Sequence, residues 1–318
     1  MEKGDQRQKG CTMTRGTDHI GVCVCTYKRS ELIGELVRKL AKQPCEGRFT
    51  FSIHIVDNDA GRTAETAVSE ACRGSSVEVT YDVEPVQNIA LTRNRAVAVA
   101  RGNLIAFMDD DEIPCEDWLL RLHSACGQYG AAGALGPVRP LYTQETPSWL
   151  QRSGLCERPS HETGTVLNCL QTRTGNVLFR RSILDGTDVP FPPEMGREGG
   201  EDIDFFRRMI ARGHTFVWCE EAPVYEHILP ERCKPLYHLD KYLRIGGLSG
   251  EMVKGSPLER CMGTLRSGIL MLLYATLALA GTVTGFHVLM RNLVKSAYYL
   301  GIACGSMGYV PVRERRDG

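Results

Sequence analysis

Apolar and polar positions alternate along the first hundred residues in two rhythms, one suited to strands and one of helical period. Ile20-Gly21-Val22-Cys23-Val24-Cys25 is a short apolar run that predicts a buried strand, and it ends in Thr26-Tyr27-Lys28-Arg29-Ser30. Ser30 suits a helix N-cap, and Leu32, Ile33, Leu36, Val37 and Leu40 then recur at helical spacing, with Pro44 just beyond. Phe51 to Val56 reads as a second strand, landing on Asp57-Asn58-Asp59. A helix through about Ala64 to Cys72, a strand around Val77 to Tyr81, a helix from Asn88 to Ala100 and a strand from Leu104 to Met108 complete the series. Strand and helix in strict alternation predict an α/β fold with a mostly parallel central sheet flanked by helices.

The pattern loosens after that. Glu116 to Tyr129 reads as a helix, Ala131 to Val138 as strand-like, and Trp149 to Asn168 as loop. Gly175 to Arg181 predicts a short strand, Glu201 opens a helix after Gly199-Gly200, and Phe216 to Trp218 is another strand. Ser267 to Met290 carries no charge and is bounded by Arg266 and Arg291, a length that can cross a bilayer. Gly268, Thr276, Gly281, Thr282, Thr284, Gly285 and His287 keep its hydrophobicity moderate. Three arrangements compete: a membrane-embedded or interfacial helix pair, a single span, and a buried helix of a soluble domain. The first is preferred, because Lys241, Arg244, Lys254, Arg260, Arg266, Arg291 and Lys295 flank the run as an anionic cytoplasmic leaflet would require. Met1 to His19 lacks the apolar core of a signal peptide, and residues 1–18 are expected to be disordered.

Composition narrows the class. With 42% hydrophobic and 24% charged residues the chain can bury a sizeable core. Lys+Arg and Asp+Glu both count 38, and this formal neutrality argues against a nucleic-acid binder. Thirteen cysteines, an odd number without paired CxxC spacing, imply a reducing compartment, no disulfide framework and no zinc site.

The candidate chemistry is acidic. Asp109-Asp110-Asp111-Glu112 follows the Leu104 strand directly. Four adjacent carboxylates are kept together only by water, basic partners or a cation, and oxygen donors at a strand end suit Mg²⁺ or Mn²⁺. A divalent ion on Asp111, with Asp109 beside it, would neutralise a diphosphate and assist its departure. Glu201-Asp202 after flexible glycines supplies a pair of carboxylates, one of which can act as a general base. His227 is a further candidate metal ligand, although a lone histidine is more often structural.

Cys25-Thr26-Tyr27-Lys28-Arg29, Val56-Asp57-Asn58, Ala90-Leu91-Thr92-Arg93-Asn94-Arg95, Phe107-Met108-Asp109-Asp110-Asp111-Glu112, Trp118-Leu119, Gly175-Asn176 and Gly200-Glu201-Asp202-Ile203-Asp204 occur in this order. This set resembles the family 2 inverting glycosyltransferases of the GT-A fold, in particular the ExoM-like, succinoglycan-type glucosyltransferases. The resemblance implies a catalytic domain over residues 19–246, with a nucleotide-binding half (19–115) and an acceptor half (116–246), before a membrane-associated helical tail (247–318). It implies that Thr26, Tyr27 and Arg29 border the nucleotide, that Asp57 accepts the uracil N–H, and that Arg93 approaches the donor diphosphate or sugar. Asp109 and Asp111 match the DxD pair, with Asp111 as direct metal ligand and Asp109 facing the ribose or the ion's waters; Asp110 is counted on the nucleotide-sugar side, and His227 stays a candidate for the metal shell from its own position rather than from the resemblance. Asp202 matches the catalytic base, with Glu201 positioning the acceptor. The QxxRW motif of processive members is absent, which implies transfer of a single sugar. The donor would be a UDP-sugar, UDP-glucose by subgroup, and the acceptor a lipid-linked saccharide at the cytoplasmic face of the plasma membrane. Two other readings stand beside this one. A Mg²⁺-dependent nucleotidyltransferase would carry a glycine-rich phosphate loop that Cys25 to Arg29 lacks, and a silent nucleotide-sugar sensor would not need both carboxylate motifs.

Overall fold

Four parallel strands carry the first half of the chain. A computed structural model describes residues 17–197, 199–251 and 256–309; the stretch 1–16, expected to be disordered, lies outside the described residues. Strands β1 (Asp18–Thr26), β2 (Phe49–Asp57), β3 (Val79–Val83) and β4 (Leu104–Asp109) pair in parallel and are connected by helices α1 (Ser30–Leu40), α2 (Glu65–Ala71) and α3 (Ile89–Val99). The acceptor half adds β5 (Glu112–Pro114), α4 (Trp118–Gln128), β6 (Gly133–Leu135), β7 (Val138–Leu141), α5 (Ser148–Ser153), β8 (Val177–Arg180), α6 (Glu201–Ala211), β9 (Phe216–Trp218) and β10 (Val224–His227). The main sheet has seven strands in the order β3-β2-β1-β4-β8-β6-β9, and β5-β10-β7 form a second, three-stranded sheet. Only β8 runs against its neighbours in the main sheet. The mostly parallel α/β expectation therefore holds, and the single reversal turns the chain back across the sheet beside β4.

Local details depart from the sequence reading in ways that have physical causes. Ser30 is the first residue of α1 and Arg29 precedes it without a side-chain cap, because Arg29 is drawn into the acidic site described below. Asn88 does cap its helix, accepting from the Ala90 and Leu91 N–H groups. The third strand starts at Val79, and Ala131 to Val138 splits into β6 and β7, which belong to different sheets. α5 lies within the stretch expected to be loop, and its Trp149 ring packs edge-on against His238 and Phe286.

Each face of the main sheet buries its own core. One holds Ile20, Val22, Val24 and the inward face of α1 together with Trp118 and Leu119 of α4. Cys23 and Cys25 are two residues apart, share the other face, and pack there as small apolar groups. That second core is aromatic: Phe205 of α6 lies 4.8 Å from Phe191 and 5.6 Å from Phe179, and Phe206 lies 5.0 Å from Phe216 (ring centroids). These contacts clamp α6 to the sheet and so determine where its first turn, Glu201-Asp202, stands.

The tail is three helices: α7 (Pro235–Glu251), α8 (Pro257–Thr284) and α9 (Phe286–Ser306). α7 runs unbroken through residue 246, where the sequence reading ends the catalytic domain. The charge-free run 267–290 covers most of α8 and, after a break at Gly285 (φ +133°), the start of α9. α8 is long and apolar enough to cross a membrane, and it is the one described helix of which this holds. α9 lies between α7 and α8. A Cβ on Gly301 would fall 2.2 Å from the Leu243 carbonyl oxygen and one on Gly246 2.1 Å from that of Tyr298, so α7 and α9 approach through small residues as membrane helices do.

Candidate active site

β1, β2 and β4 end on the same edge of the sheet, the edge at which open α/β sheets take ligands. A cavity of about 470 Å³ opens there, lined by Thr26, Tyr27, Arg29, Arg93, Asp109, Asp110 and Asp111. The sequence reading assigned all seven to the site. The cavity is also lined by Gln87, Asn88, Gly196, Arg197 and Arg232, which it did not.

The four acids are unequal. Asp110 is buried and saturated, accepting from Thr26 Oγ1 at 2.8 Å and from Arg29 at 2.7 Å. It holds β1 to β4 and aims Arg29 into the cavity. Asp111 is buried, and its Oδ2 accepts from Arg232 at 2.9 Å and Arg29 at 3.3 Å. Burial pushes the Asp111 carboxyl up to about 7, against the lowering by Arg232 and with Asp110 and Asp109 raising it further. Asp109 is the open one, with 45% of its side chain exposed and Arg93 at 3.8 Å. Glu112 is fully buried, its Oε2 accepting from the Asp109 N–H at 3.2 Å while Oε1 has no partner. Burial, then Asp109 and Glu226, drive its pKa well above the ordinary carboxylate value. Gly175 closes this corner: a Cβ there would sit 2.9 Å from both Asp109 Oδ2 and Glu112 Oε1 and would push the two carboxylates aside.

Arg93 joins the donor and acceptor motifs. It is buried, pairs with Glu201 Oε1, and faces Asp109. Burial works against its charge, but Glu201, Asp109 and Asp202 more than offset this and raise its pKa. Glu201 is buried as well, with Oε2 unpartnered, so it is a held group rather than a free base. Asp202 follows at the first turn of α6 and accepts from the Ile203 N–H at 2.8 Å. Gly200, at φ +93°, makes the turn that presents both acids.

Four assigned residues do not line this cavity: Glu201 and Asp202, behind Arg93 at the start of α6, and Asp57 and His227. Asp57 is fully buried; Oδ1 accepts from the Asp59 N–H at 3.0 Å, and Oδ2 from the Ala64 N–H at 3.0 Å and the Tyr81 hydroxyl at 2.7 Å. It shapes the loop after β2, and the cavity wall there is Asn58; a base N–H reaches Asp57 only if that loop opens. His227 touches the site through its backbone N–H, which donates to the Asp111 carbonyl at 2.8 Å, and its ring does not line the cavity. Asp109, Asp111 and His227 are therefore not a converged set, and among the described residues no three His, Cys, Asp or Glu side chains are placed to hold a metal. Two carboxylates still fit a hard divalent cation, which takes its remaining ligands from water and substrate phosphates.

Behind the acids stands a layer to which the sequence reading gave no role. Arg232 bridges Asp111 and Glu226, and Arg158 bonds Glu226 at 2.7 Å. Trp118 Nε1 donates to Asn176 Oδ1 at 2.7 Å, and the Asn176 amide donates to the Pro137 and Ala222 carbonyls. The signal for Trp118 and Asn176 was their place in the ordered motifs, and that for Arg232 the segment Tyr225 to Arg232, which resembles the same subgroup more loosely; Arg158 gave none, since only folding brings it to the acids.

Residues 21–186 match the sequence model described as "Glycosyl transferase family 2". The chain is 33% identical over 277 residues to the succinoglycan biosynthesis protein ExoM of Rhizobium meliloti (strain 1021), covering 86% of this chain and 84% of that one. The fold is similar to the mannosyltransferase PcManGT from Pyrobaculum calidifontis in complex with GDP-Man and Mn²⁺ (TM-score 0.58, 14% identity, 90% of this chain and 87% of that one). It is also similar to the 1–349 part of S. aureus TarS in complex with UDP-GlcNAc (TM-score 0.53, 15% identity, 92% of each chain), and the match spans 55% of the longer TarS chain. These structural likenesses place the chain in the GT-A fold, and sequence and architecture together assign it: the chain belongs to glycosyltransferase family 2.

Proposed function

We propose that this protein is an inverting glycosyltransferase that moves one sugar from a UDP-sugar, glucose by kinship with ExoM, to a hydroxyl of a lipid-linked oligosaccharide during exopolysaccharide synthesis. The observation that carries the reading is the buried Arg93, which ties Asp109 on the donor side to Glu201, the neighbour of Asp202, on the acceptor side. Tyr27 and Arg29 border the nucleotide, and Arg29 and Arg232 offer fixed positive charge to the diphosphate. Asp109 and Asp111 would hold Mg²⁺ or Mn²⁺, which supplies Lewis-acid stabilisation of the departing diphosphate. Asp202 takes the proton of the acceptor hydroxyl. The hydroxyl oxygen bonds to the anomeric carbon as the bond to UDP breaks on the opposite face, so an α-linked donor gives a β-glycoside. Glu201, held by Arg93, fixes the first turn of α6 and so the place of Asp202.

The apolar α8 supports attachment to the membrane beside the acceptor, at the cytoplasmic face where nucleotide sugars are found. The test is a screen of purified full-length protein with Mn²⁺ or Mg²⁺ against a panel of UDP-sugars, with and without lipid-linked acceptors, reading UDP release and product linkage. One donor is expected to turn over with a lipid-linked acceptor. Binding of donors without release under every condition would favour the sensor reading.

A further inference from the structure

A second basic group stands outside the donor cavity. Arg29, Arg93, Arg197 and Arg232 line that cavity, whereas Arg158, Arg173 and Lys241 do not. Arg158 belongs to the loop after α5, Arg173 lies just before β8, and Lys241 is on α7. Three segments distant in sequence thus bring positive charge to one place beside Glu226 of β10. Glu226 Oε1 accepts from Arg158 at 2.7 Å and from Arg232 at 2.8 Å, and Lys241 lies within electrostatic reach of all three. Arg173 is within reach of Arg158, Glu112, Asp202 and Glu226.

Arg173 and Lys241 are the unpaired members. Among the described residues neither forms an ion pair, and each lies against a ring instead: Arg173 is 5.9 Å from the Trp218 centroid and Lys241 5.8 Å from that of Tyr237. Burial, and then Arg158 beside each, lowers both from their ordinary values, Lys241 to about 8 and Arg173 to about 10. A charge held away from water without a counter-ion is costly, and like charges around it add to the cost. Folding alone would favour a neutral residue at either position. An arriving anion offsets that cost, and guanidinium and ammonium groups together suit carboxylate or phosphate oxygens. The group is open to such a ligand: 30% of the Arg158 side chain is exposed, and Arg173 and Lys241 are half-buried.

We propose that Arg158, Arg173 and Lys241 form a second anion site, which takes a carboxylate or phosphate group carried by the acceptor. The donor diphosphate has its own cations in the cavity, Arg29 and Arg232. Two placements point to the acceptor. Arg173 is within reach of Asp202, the carboxylate assigned to deprotonate the acceptor hydroxyl, and Lys241 sits on the helix that precedes the apolar α8. A neutral saccharide would leave both cations unpaired. An acidic sugar, or a sugar next to the phosphate of its carrier, would pair them. Naming the ligand as the acceptor rests on the transferase reading; the anion site itself does not.

Calorimetry on full-length protein in neutral detergent tests the site without turnover. The protein is first saturated with UDP and Mg²⁺, which fills the donor cavity. Inorganic phosphate and methyl glucuronide are then titrated, with methyl glucoside as the neutral control. At least one anion should bind and methyl glucoside should not; which anion binds separates a phosphate from a carboxylate. Arg173→Gln/Lys241→Gln should weaken that binding roughly 10–100-fold and leave UDP affinity unchanged, which also shows that the variant is folded. Should the double variant not fold, Lys241→Gln is read in the same way, against Lys241→Arg, which keeps the charge and should keep the binding. No binding of either anion by the wild type, or an affinity that the charge-removing variants leave unaltered, would overturn the proposal. So would small anions failing to bind while the variants lose flotation on phosphatidylglycerol vesicles and keep it on phosphatidylcholine, since the cations would then serve a lipid surface. Asp202→Asn separates this site from the transferase reading: that variant should bind the anion as the wild type does, whatever becomes of transfer.

Discussion

Arg93→Met tests the link at the centre of the site. In the wild type the Arg93 and Glu201 side chains are 8% and 3% exposed, and Glu201 Oε2 already lacks a partner. Methionine keeps the length and packing of the arginine stem but leaves Glu201 as an uncompensated buried carboxylate. Breaking a buried pair from one side costs about 3–5 kcal/mol, a large part of the ~5–15 kcal/mol that holds a protein folded. Chemical denaturation should show that loss, and thermal unfolding should fall by roughly 10 °C. Arg93→Met/Glu201→Leu removes both charges and should recover most of the stability while transfer stays abolished, so the cycle separates folding from function. If Arg93→Met alone unfolds within about 1 kcal/mol of wild type, the pair is not the structural tie described here.

Three further outcomes follow from the same geometry. Asp202→Asn should bind donor normally and transfer ~10²–10⁴-fold more slowly; near-wild-type transfer would remove Asp202 as the base. Asp111→Ala should abolish the Mn²⁺-dependent part of UDP affinity by calorimetry, and an unchanged affinity would refute its assignment as the metal-side carboxylate. Burial depresses His54 and His238 to about 4, with Glu78 opposing it at His54 and the Arg232 carbonyl at His238. Their folded values lie below the unfolded one, so stability should fall as pH drops from about 6.5 towards 4, by at most ~3 kcal/mol each and nearer 1–2 after solvent screening. His54→Gln should flatten this slope in pH-dependent denaturation, and an unchanged slope would show that His54 does not drive it.

The chain's own pattern determined the framework. Apolar runs at β1, β2 and β4 are bounded by turn residues, and the helices between them carry a one-sided apolar stripe, so both the parallel sheet and its ligand-facing edge follow from local periodicity. The acids at residues 109–112 and 201–202 were legible because their strand and their glycine-flanked helix start are local signals too. Tertiary structure decided what periodicity cannot reach. Asp110 and Asp111 became different groups only when Thr26, Arg29 and Arg232 arrived from distant segments to satisfy one and flank the other. Asp57 looked like a ligand-facing acid in sequence, but the backbone N–H groups of its own loop and Tyr81 claim it. Which face of α8 meets α9 depended on the helix break at Gly285 and the packing that follows. Local sequence sets which side chains can face together. Long-range packing, through burial and ion pairing, sets which of them remain available for chemistry.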